Sequence, residues 1–330
     1  MRLRLLVVLL LFCGWGCSSE KKSDETADDG SKKYRIAVIP KGTSHDFWKS
    51  VHYGAEKAAK ELGNVEIIWQ GTADETDKEG QIKYVDTFIG RRVDGIVLAP
   101  IDRDAFVPVV KRAKQRDIPV VVFDSGLRDL SDVVSYVATD NAKGGHLAGE
   151  KMIELMGGQG GVILLRYQAG SESTEQREEG FLEEIEAADD VKMLSESQRV
   201  NSAAEEALKI AEQLLRNHKG KVTGVFTVCE PNNKGMLQAL ENLKMAGDVK
   251  FIAFDSDPRI VEGLKSGSVD GVVLQDPVNM GYLAVKTMVA NLEGEDVEKR
   301  IDTGVYLVTP ENMNEEKFQK LLNPEQFDGK

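Results

Sequence analysis

The sequence is poor in cysteine and histidine, with only three cysteines and four histidines in 330 residues. Cys13 and Cys17 lie close to the N-terminus, so Cys229 is the one cysteine in the remainder of the chain. We therefore expect no disulfide in the folded part and no metal site built on cysteine. The histidines are scattered, with no pair at metal-ligand spacing: His45, His52, His146 and His218. The sequence thus predicts no metal and no other cofactor.

Positive charge is also scarce. There are 42 lysines and arginines against 55 aspartates and glutamates, which gives a formal net charge of -13 at pH 7. Because no basic cluster stands out against this background, binding to the phosphate backbone of a nucleic acid is not expected.

The short motifs of several enzyme classes are missing. The patterns GxxxxGKS/T, HExxH and GxSxG do not occur, so the signatures of P-loop NTPases, zinc proteases and α/β-hydrolases are absent. A glycine-rich GGQGG lies at residues 157–161. It follows a predicted helix and precedes a predicted strand, the reverse of a dinucleotide-binding loop, so we interpret it as a turn. With no nucleophile and base to name, the chain is not predicted to be an enzyme.

The N-terminus has the features of an export signal. Arg2 and Arg4 precede an apolar run, residues 5–12, that is too short to span a membrane as a mature helix. Cys17, followed by two serines, resembles the lipidated cysteine of a bacterial lipobox, although Cys13 competes with it and simple signal cleavage is the alternative. We therefore predict a lipoprotein signal peptide over residues 1–17. Residues 18–33 are polar and without periodicity, and they predict a disordered tether.

The folded part begins with a strand, a loop and a helix. The apolar run at residues 36–39 ends at Pro40, which cannot donate to a sheet ladder. Residues from Phe47 to Leu62 then recur with helical spacing and mark one buried face. Such a unit opens an α/β sheet, and ligands of open α/β sheets bind just beyond the carboxyl ends of the strands. Phe47 and Trp48 lie at that edge, where they belong either to a ligand site or to the core.

The same alternation continues along the chain and predicts an α/β fold. Near-continuous apolar runs alternate with helical segments, as expected for parallel sheets covered by helices on both faces. The series restarts after residue 139, which predicts two similar lobes, and the helix at 277–291 and the strand at 303–309 are left to cross back between them. The other predicted strands are 65–71, 94–100, 118–124, 133–140, 161–168, 191–197, 222–229, 249–255 and 269–275. The other predicted helices are 74–91, 102–115, 173–188, 202–217, 232–245 and 258–266, with a helix of small residues after Asn141.

Polar side chains follow several of these strands. Asp124 and Asp255 end two of them, Cys229 and Glu230 follow a third, and Gln275 ends a fourth. Carboxylates and amides can each engage two neighbouring hydroxyl groups, so a convergent set suits a polyhydroxylated ligand. The alternative is that each group merely caps the following helix.

In this order and spacing the motifs resemble the periplasmic sugar-binding proteins of the ribose-binding type, over about residues 34–310. The motifs that carry the resemblance are DFWKSVHYGA (46–55), TDNAKGG (139–145), GVFTVCEP (224–231), FIAFDSDP (251–258) and VVLQDP (272–277). The resemblance implies a type I periplasmic-binding-protein fold, with two Rossmann-like lobes joined by a three-segment hinge near residues 138–140, 275–277 and 302–304. The first lobe would hold residues 34–138 and 277–302, and the second 139–276 and 303–330.

The resemblance also implies a ligand site. Phe47 and Trp48 match the aromatic residues that stack on the sugar, and Arg177 matches a clamp arginine whose alternative is a surface ion pair with Glu178 or Glu179. Ser125, Ser202 and Cys229 replace an arginine, an aromatic residue and an asparagine of ribose binders, which puts ribose itself in doubt. A lone thiol such as Cys229 is more often inert packing. The implied ligand-binding residues are His45, Phe47, Trp48, Asp124, Ser125, Arg177, Ser202, Cys229, Glu230, Asp255 and Gln275.

The function implied is that of a solute-binding lipoprotein of an ABC transporter. It would close its two lobes around a monosaccharide or polyol outside the cytoplasmic membrane and deliver it to a permease. The alternative is a sensor of the same fold that signals to a membrane kinase or chemoreceptor. We expect a monomer in the periplasm or another extracytoplasmic space, anchored by lipid on Cys17.

Overall fold

The computed structural model describes residues 33–327 and 329. The predicted signal peptide, Cys17 and nearly all of the predicted tether lie outside these residues. Among the described helices, none is long and apolar enough to cross a membrane.

Strands and helices alternate along the described chain. The strands are β1 (Tyr34–Ile39), β2 (Val65–Trp69), β3 (Gly95–Leu98), β4 (Val120–Phe123), β5 (Ser135–Ala138), β6 (Gly160–Tyr167), β7 (Val191–Ser195), β8 (Arg199–Val200), β9 (Val222–Thr227), β10 (Lys250–Phe254), β11 (Gly271–Leu274), β12 (Arg300–Asp302) and β13 (Tyr306–Val308). The helices are α1 (Asp46–Leu62), α2 (Lys78–Gly90), α3 (Val107–Lys114), α4 (Asn141–Leu155), α5 (Glu172–Glu186), α6 (Ala204–Asn217), α7 (Glu230–Asn242), α8 (Pro258–Ser266), α9 (Pro277–Leu292) and α10 (Glu316–Leu322).

The strands form two sheets, which confirms the predicted α/β architecture. The first has the order β12-β5-β4-β3-β1-β2 and is parallel throughout. The second has the order β13-β11-β10-β9-β6-β7, with the short β8 paired to β6. It is parallel except for β13, which pairs antiparallel with β11. Both sheets therefore present the carboxyl ends of their central strands at one edge.

Some helix starts and short strands differ from the prediction. The helix expected from Asp102 begins only at Val107, because the Asp102 carboxylate accepts hydrogen bonds from the backbone of Asp104 and Ala105 and holds a turn there. The helix expected from residue 74 begins at Lys78, with Asp77 as its N-cap. The strands β8 and β12 and the helix α10 were not predicted. The strand predicted at 303–309 is confirmed only over Tyr306–Val308.

The helix α9 packs in the layer of the first sheet although it follows the second lobe in sequence. It lies against α1 so closely that a Cβ atom on Gly54 would come within 1.9 Å of the Val278 carbonyl oxygen. A Cβ atom on Gly281 would come within 2.1 Å of the Val51 carbonyl oxygen. Glycine is therefore required at both positions for this contact.

The chain passes between the sheets from β5 to α4, from β11 to α9 and from β12 to β13. A further connection lies after α10, whose Phe318 and Leu322 are buried in the core under the second sheet. The Phe327 backbone N–H donates to the Lys49 carbonyl oxygen of α1 at 3.0 Å, and its ring centroid lies 3.9 Å from that of His52. Residues 303–330 were all predicted in the second lobe, but the end of this segment contacts the first.

Candidate ligand-binding cleft

A small cavity lies where the carboxyl ends of the two sheets face each other. Its volume is about 30 Å³, which is room for no more than about two water molecules. Most of the predicted site residues line it: His45, Phe47, Trp48, Asp124, Arg177, Cys229, Glu230, Asp255 and Gln275. Residues that were not predicted line it as well: Lys41, Glu75, Tyr167, Ser173, Thr174 and Pro231.

Two predicted residues, Ser125 and Ser202, are not part of the cavity lining. Ser125 is fully buried, and its hydroxyl accepts a hydrogen bond from the Ser173 backbone N–H at 3.1 Å. Ser202 is also buried, and its side chain lies beside the Tyr167 hydroxyl. Both serines therefore support residues of the wall instead of facing the cavity.

Two strands of this edge end in the same way. β4 and β10 are each followed by an Asp-Ser pair, and both aspartates have left-handed backbones, with φ of 60° at Asp124 and 74° at Asp255. Asp124 donates its N–H to Val137 on the next strand, and Asp255 donates to Val273. Aspartate tolerates this conformation better than most residues. The turn directs each carboxylate across the edge of its sheet.

Asp255 is a buried carboxylate with few partners. Its Oδ1 accepts from the Gln275 amide at 2.7 Å, and its Oδ2 lies 3.6 Å from the nearest Arg177 nitrogen. Burial raises the pKa of Asp255 to about 6, and the neighbouring Asp124 and Glu230 add to this, while Arg177 and Gln275 act against it. The Asp255 side chain thus keeps capacity to accept hydrogen bonds from a ligand.

Arg177 is held rigidly and is not on the surface. Its Nε donates to the Asn141 side chain and its Nη1 to the Val228 carbonyl oxygen, each at 2.8 Å. The guanidinium lies 3.8 Å above the Phe254 ring. The alternative of a surface ion pair with Glu178 or Glu179 is wrong, because Arg177 is only 2% exposed and Glu178 pairs with Arg166 and Arg199 instead.

Glu75 is a second buried carboxylate, and it is fully paired. Its Oε1 accepts from the Trp48 indole at 2.8 Å and lies 3.1 Å from His45 Nδ1. Its Oε2 accepts from the Tyr167 hydroxyl at 3.0 Å. Burial opposes ionisation of Glu75, but His45, Lys41 and the Trp48 hydrogen bond outweigh it and lower its pKa to about 2. Conversely, although burial works against it, Glu75 raises the pKa of His45.

Lys41 crosses the cleft from the first lobe. Its ammonium forms an ion pair with Asp124 at 2.9 Å, without the alignment of a directed hydrogen bond. It also donates to Ser171 and Ser173 of the second lobe, at 3.3 and 3.1 Å. From the opposite side, the Glu230 carboxylate accepts from the backbone N–H of Phe47 at 3.2 Å, at the start of α1. The two lobes therefore meet through charge-assisted hydrogen bonds in both directions.

The aromatic residues of the first lobe have both roles that the sequence left open. Trp48 is 2% exposed and packs in the core beneath the first sheet, yet it also lines the cleft. Phe47 is half-buried and lies edge-on to Trp48, with ring centroids 4.9 Å apart.

Cys229 is buried, and burial raises the pKa of its thiol well above the usual value. A raised thiol pKa disfavours the thiolate, which is the reactive form.

Some of the site residues that the sequence analysis missed could have been found from a sequence pattern, and others could not. Lys41 follows β1 with only Pro40 between them, and Tyr167 is the last residue of β6, so the strand-end rule that selected Asp124 also covers both. Glu75 lies in the loop between β2 and α2, where no strand end or helix start marks it. Its role depends on partners brought from α1 and β6.

The cleft is suited to a neutral, hydroxyl-rich molecule. Carboxylates, an amide, cationic groups and aromatic rings all line it, a mixture of polar and apolar groups that suits a carbohydrate. Among the described residues there is no group of three or more histidine, cysteine, aspartate or glutamate side chains placed to hold a metal ion.

Comparisons with known proteins agree with this geometry. The chain is 29% identical over 316 residues to a D-ribose/D-allose-binding protein of Pseudomonas aeruginosa, covering 93% of this chain and 97% of the relative. A carbohydrate transporter solute-binding protein from Agrobacterium radiobacter, solved with D-arabinose, matches with a TM-score of 0.84 at 33% identity, over 88% of this chain and 99% of that one. A solute-binding protein from Agrobacterium vitis, solved with D-fucose, matches with a TM-score of 0.83 at 34% identity, over 87% and 99%.

The family described as periplasmic binding protein domain matches residues 36–296, most of the part of the chain that the structure describes. The two-sheet architecture, the cleft between the sheets and these matches lead to one conclusion: this chain belongs to the periplasmic binding protein family, and the solved structures that it resembles include solute-binding proteins with bound sugars.

Proposed function

We propose that this protein captures a monosaccharide or a related polyol in the cleft and delivers it to an ABC permease. The observation that carries the proposal is the convergence of Asp124 from the first lobe with Arg177, Asp255 and Gln275 from the second on one cavity. Together these groups offer donors and acceptors for several hydroxyl groups. Since each net hydrogen bond contributes only about 1 kcal/mol, or somewhat more when one partner is charged, several must act together.

Binding would proceed by closure. A ligand that touches both walls gains its full set of contacts only when the lobes come together, so it shifts the population from open to closed forms. The contacts of Lys41 with Ser171 and Ser173, and of Tyr167 with Glu75, cross between the lobes and would add to the stability of the closed form. The three chain passages between the sheets would act as the hinge.

The protein would work outside the cytoplasmic membrane as a monomer, without catalytic activity. A lipid on Cys17 would anchor it, and the polar segment before Tyr34 would give it reach. In cells, Cys17→Ser is expected to move the protein from the membrane fraction to the soluble one. Unchanged membrane association of the variant would rule out the anchor.

A ligand screen tests the binding proposal. Purified protein is mixed with pentoses, hexoses, deoxysugars and polyols, and its Tm is measured with each. Every compound that raises Tm is then titrated by calorimetry. A ligand present at a hundred times its Kd stabilises the folded protein by about 2.7 kcal/mol, which is a clear rise in Tm. If no member of the panel raises Tm or gives binding heat, the proposed sugar-binding function is wrong.

A further inference from the structure

A second and larger chamber lies beside the cleft. Its volume is about 190 Å³, and it shares the side chains of Phe47, Asp255 and Gln275 with the cleft as common walls. The segment after α10 covers it, contributing Asn323, Pro324 and Gln326. The chamber therefore adjoins the candidate sugar site and has a roof that belongs to the C-terminal segment.

Two buried oxygens of this chamber lack hydrogen-bond partners among the described residues. Asp257, which is 3% exposed, uses its Oδ1 to cap the start of α8, and its Oδ2 is unpaired. Gln275 is also 3% exposed, and its amide nitrogen is engaged by Asp255 while its Oε1 is unpaired. Buried acceptors without partners are costly, so a site that leaves two of them is suited to a molecule that brings donors.

The remaining walls also suit a sugar ring. Asn323 and Gln326 offer amide donors and acceptors in the roof, while Pro324 and Leu322 present apolar surface. A pyranose or furanose ring has the same division, with hydroxyl groups at its edge and C–H groups on its faces. The size is adequate as well, since a cavity of about 150 Å³ accommodates a benzene ring.

We propose that this chamber is a second sugar subsite, and that the natural ligand is a glycoside or disaccharide instead of a free monosaccharide. The cleft, whose volume here is about 30 Å³, widens to admit one ring. The substituent of that ring extends past Gln275 into the chamber, where hydroxyl groups donate to Asp257 Oδ2 and Gln275 Oε1. This inference rests on the proposed function, because it assumes that a sugar binds in the cleft.

Calorimetric titration with matched sugars tests it. The probes are D-ribose, D-glucose and D-galactose, the methyl glycosides of each, and the disaccharides maltose, cellobiose, lactose and melibiose. We expect at least one derivative to bind about tenfold more tightly than its parent monosaccharide, the gain of one or two added hydrogen bonds. The inference is overturned if the parent sugars bind as tightly as, or more tightly than, all of their derivatives.

The variant Asp257→Asn tests whether the tighter binding of the derivative arises in the chamber. Asparagine is as good an N-cap as aspartate, so α8 keeps its start while the free acceptor of the chamber changes. In the variant we expect most of the difference in affinity between the derivative and its parent monosaccharide to disappear. The affinity for the parent monosaccharide should stay within about twofold of the wild-type value. Asp77→Asn, at the N-cap of α2 and away from the chamber, is the matched control and should change neither affinity.

A second variant tests the roof without touching the helix cap. Phe327→Ala removes the ring that fastens the C-terminal segment to His52, and we expect it to weaken the derivative several-fold more than the parent sugar. An advantage that survives in both variants overturns the subsite and leaves the sugar-binding function intact. Absence of binding by every sugar overturns both together.

Discussion

Glu75 and Asp255 are buried carboxylates on opposite walls of one cleft, yet their pKa values are shifted in opposite directions. The pKa of Glu75 is lowered to about 2 and that of Asp255 is raised to about 6. Burial penalises the charge of both, so burial does not explain the difference. Glu75 has hydrogen bonds from His45, Trp48 and Tyr167, whereas Asp255 has one from Gln275 and an arginine at 3.6 Å.

The contrast separates two kinds of buried acid. A carboxylate whose two oxygens are both engaged by protein donors has little acceptor capacity left for a ligand. A carboxylate that is short of donors keeps capacity for the hydroxyl groups of a ligand. The contacts of Glu75 thus favour a role in holding the cleft in shape, and those of Asp255 leave it acceptor capacity.

The largest effect is expected from Arg177→Ala, which would sharpen the contrast by removing the cation that lies beside the Asp255 carboxylate. Loss of one partner from a buried pair costs about 3–5 kcal/mol. We expect unfolding in urea to show a loss of that order and sugar binding to disappear in calorimetry. Arg112→Ala, which breaks an exposed pair with Asp86, is the control and should cost under about 1 kcal/mol. Unchanged sugar affinity in Arg177→Ala would refute its binding role.

Glu75→Gln would break the contrast from the other wall. Because the folded pKa of Glu75 is depressed, its ionised form stabilises the fold above the unfolded pKa, and this contribution is lost as pH falls toward 2. At pH 7 we expect the variant to lose about 3 kcal/mol in urea unfolding. NMR titration should show the pKa of His45 falling, because burial lowers it and the opposing effect of Glu75 is lost. Glu79→Gln, at an exposed position of α2, serves as the control, and equal costs for the two variants would argue against the framework role.

Asp255→Asn tests the sign of the other shift. A carboxyl whose folded pKa is raised favours the fold while it is protonated, so its contribution is full below pH 4 and is lost as pH rises through about 6. Between pH 4 and 7 we expect the wild-type protein to lose on the order of 2 kcal/mol relative to the variant. The variant also leaves Arg177 without its anion, which changes its stability at every pH. We therefore compare how steeply the free energy of unfolding in urea changes with pH in the two proteins. Parallel slopes would mean that Asp255 is ionised throughout.

The smallest effect is expected from Trp48→Phe, which removes one donor from Glu75 and keeps an aromatic ring in the core. The loss of one hydrogen bond should cost about 1 kcal/mol in unfolding. The variant should also lose most of any ligand-induced change in tryptophan fluorescence. Trp69→Phe is the matched control, because Trp69 stacks on His52 away from the cleft lining, and it should keep that change. A full fluorescence response in Trp48→Phe would place the reporter elsewhere.

The same contrast explains what the sequence could predict. Asp255, Asp124 and Gln275 follow buried strands directly, and the geometry of a parallel sheet alone brings such positions to one edge. Glu75 could not be found this way, because its donors come from the start of α1 and the end of β6 and its loop has no periodicity. Lys41 was missed although it follows β1, since a lysine after a proline is ordinarily solvated.

Elements of the fold divide in a similar manner. The short apolar runs of β3 and β4 are buried along their whole length, and such runs, bounded by turn signals, predict buried strands. β12 is a short edge strand with exposed residues at both ends, so no apolar pattern marks it. Its place beside β5 is decided by tertiary pairing. The path of the segment after α10 likewise depends on contacts with α1.

That segment also sets a practical limit for work on this protein. Between Leu322 in one lobe and Phe327 in the other, the intervening residues can stretch by no more than about 3.5 Å each. A wide opening of the lobes must therefore break the contacts of Phe327 with Lys49 and His52. A tag or fluorescent fusion at the C-terminus would disturb the same contacts. Biosensor designs built on this scaffold should accordingly attach their reporter at an internal loop.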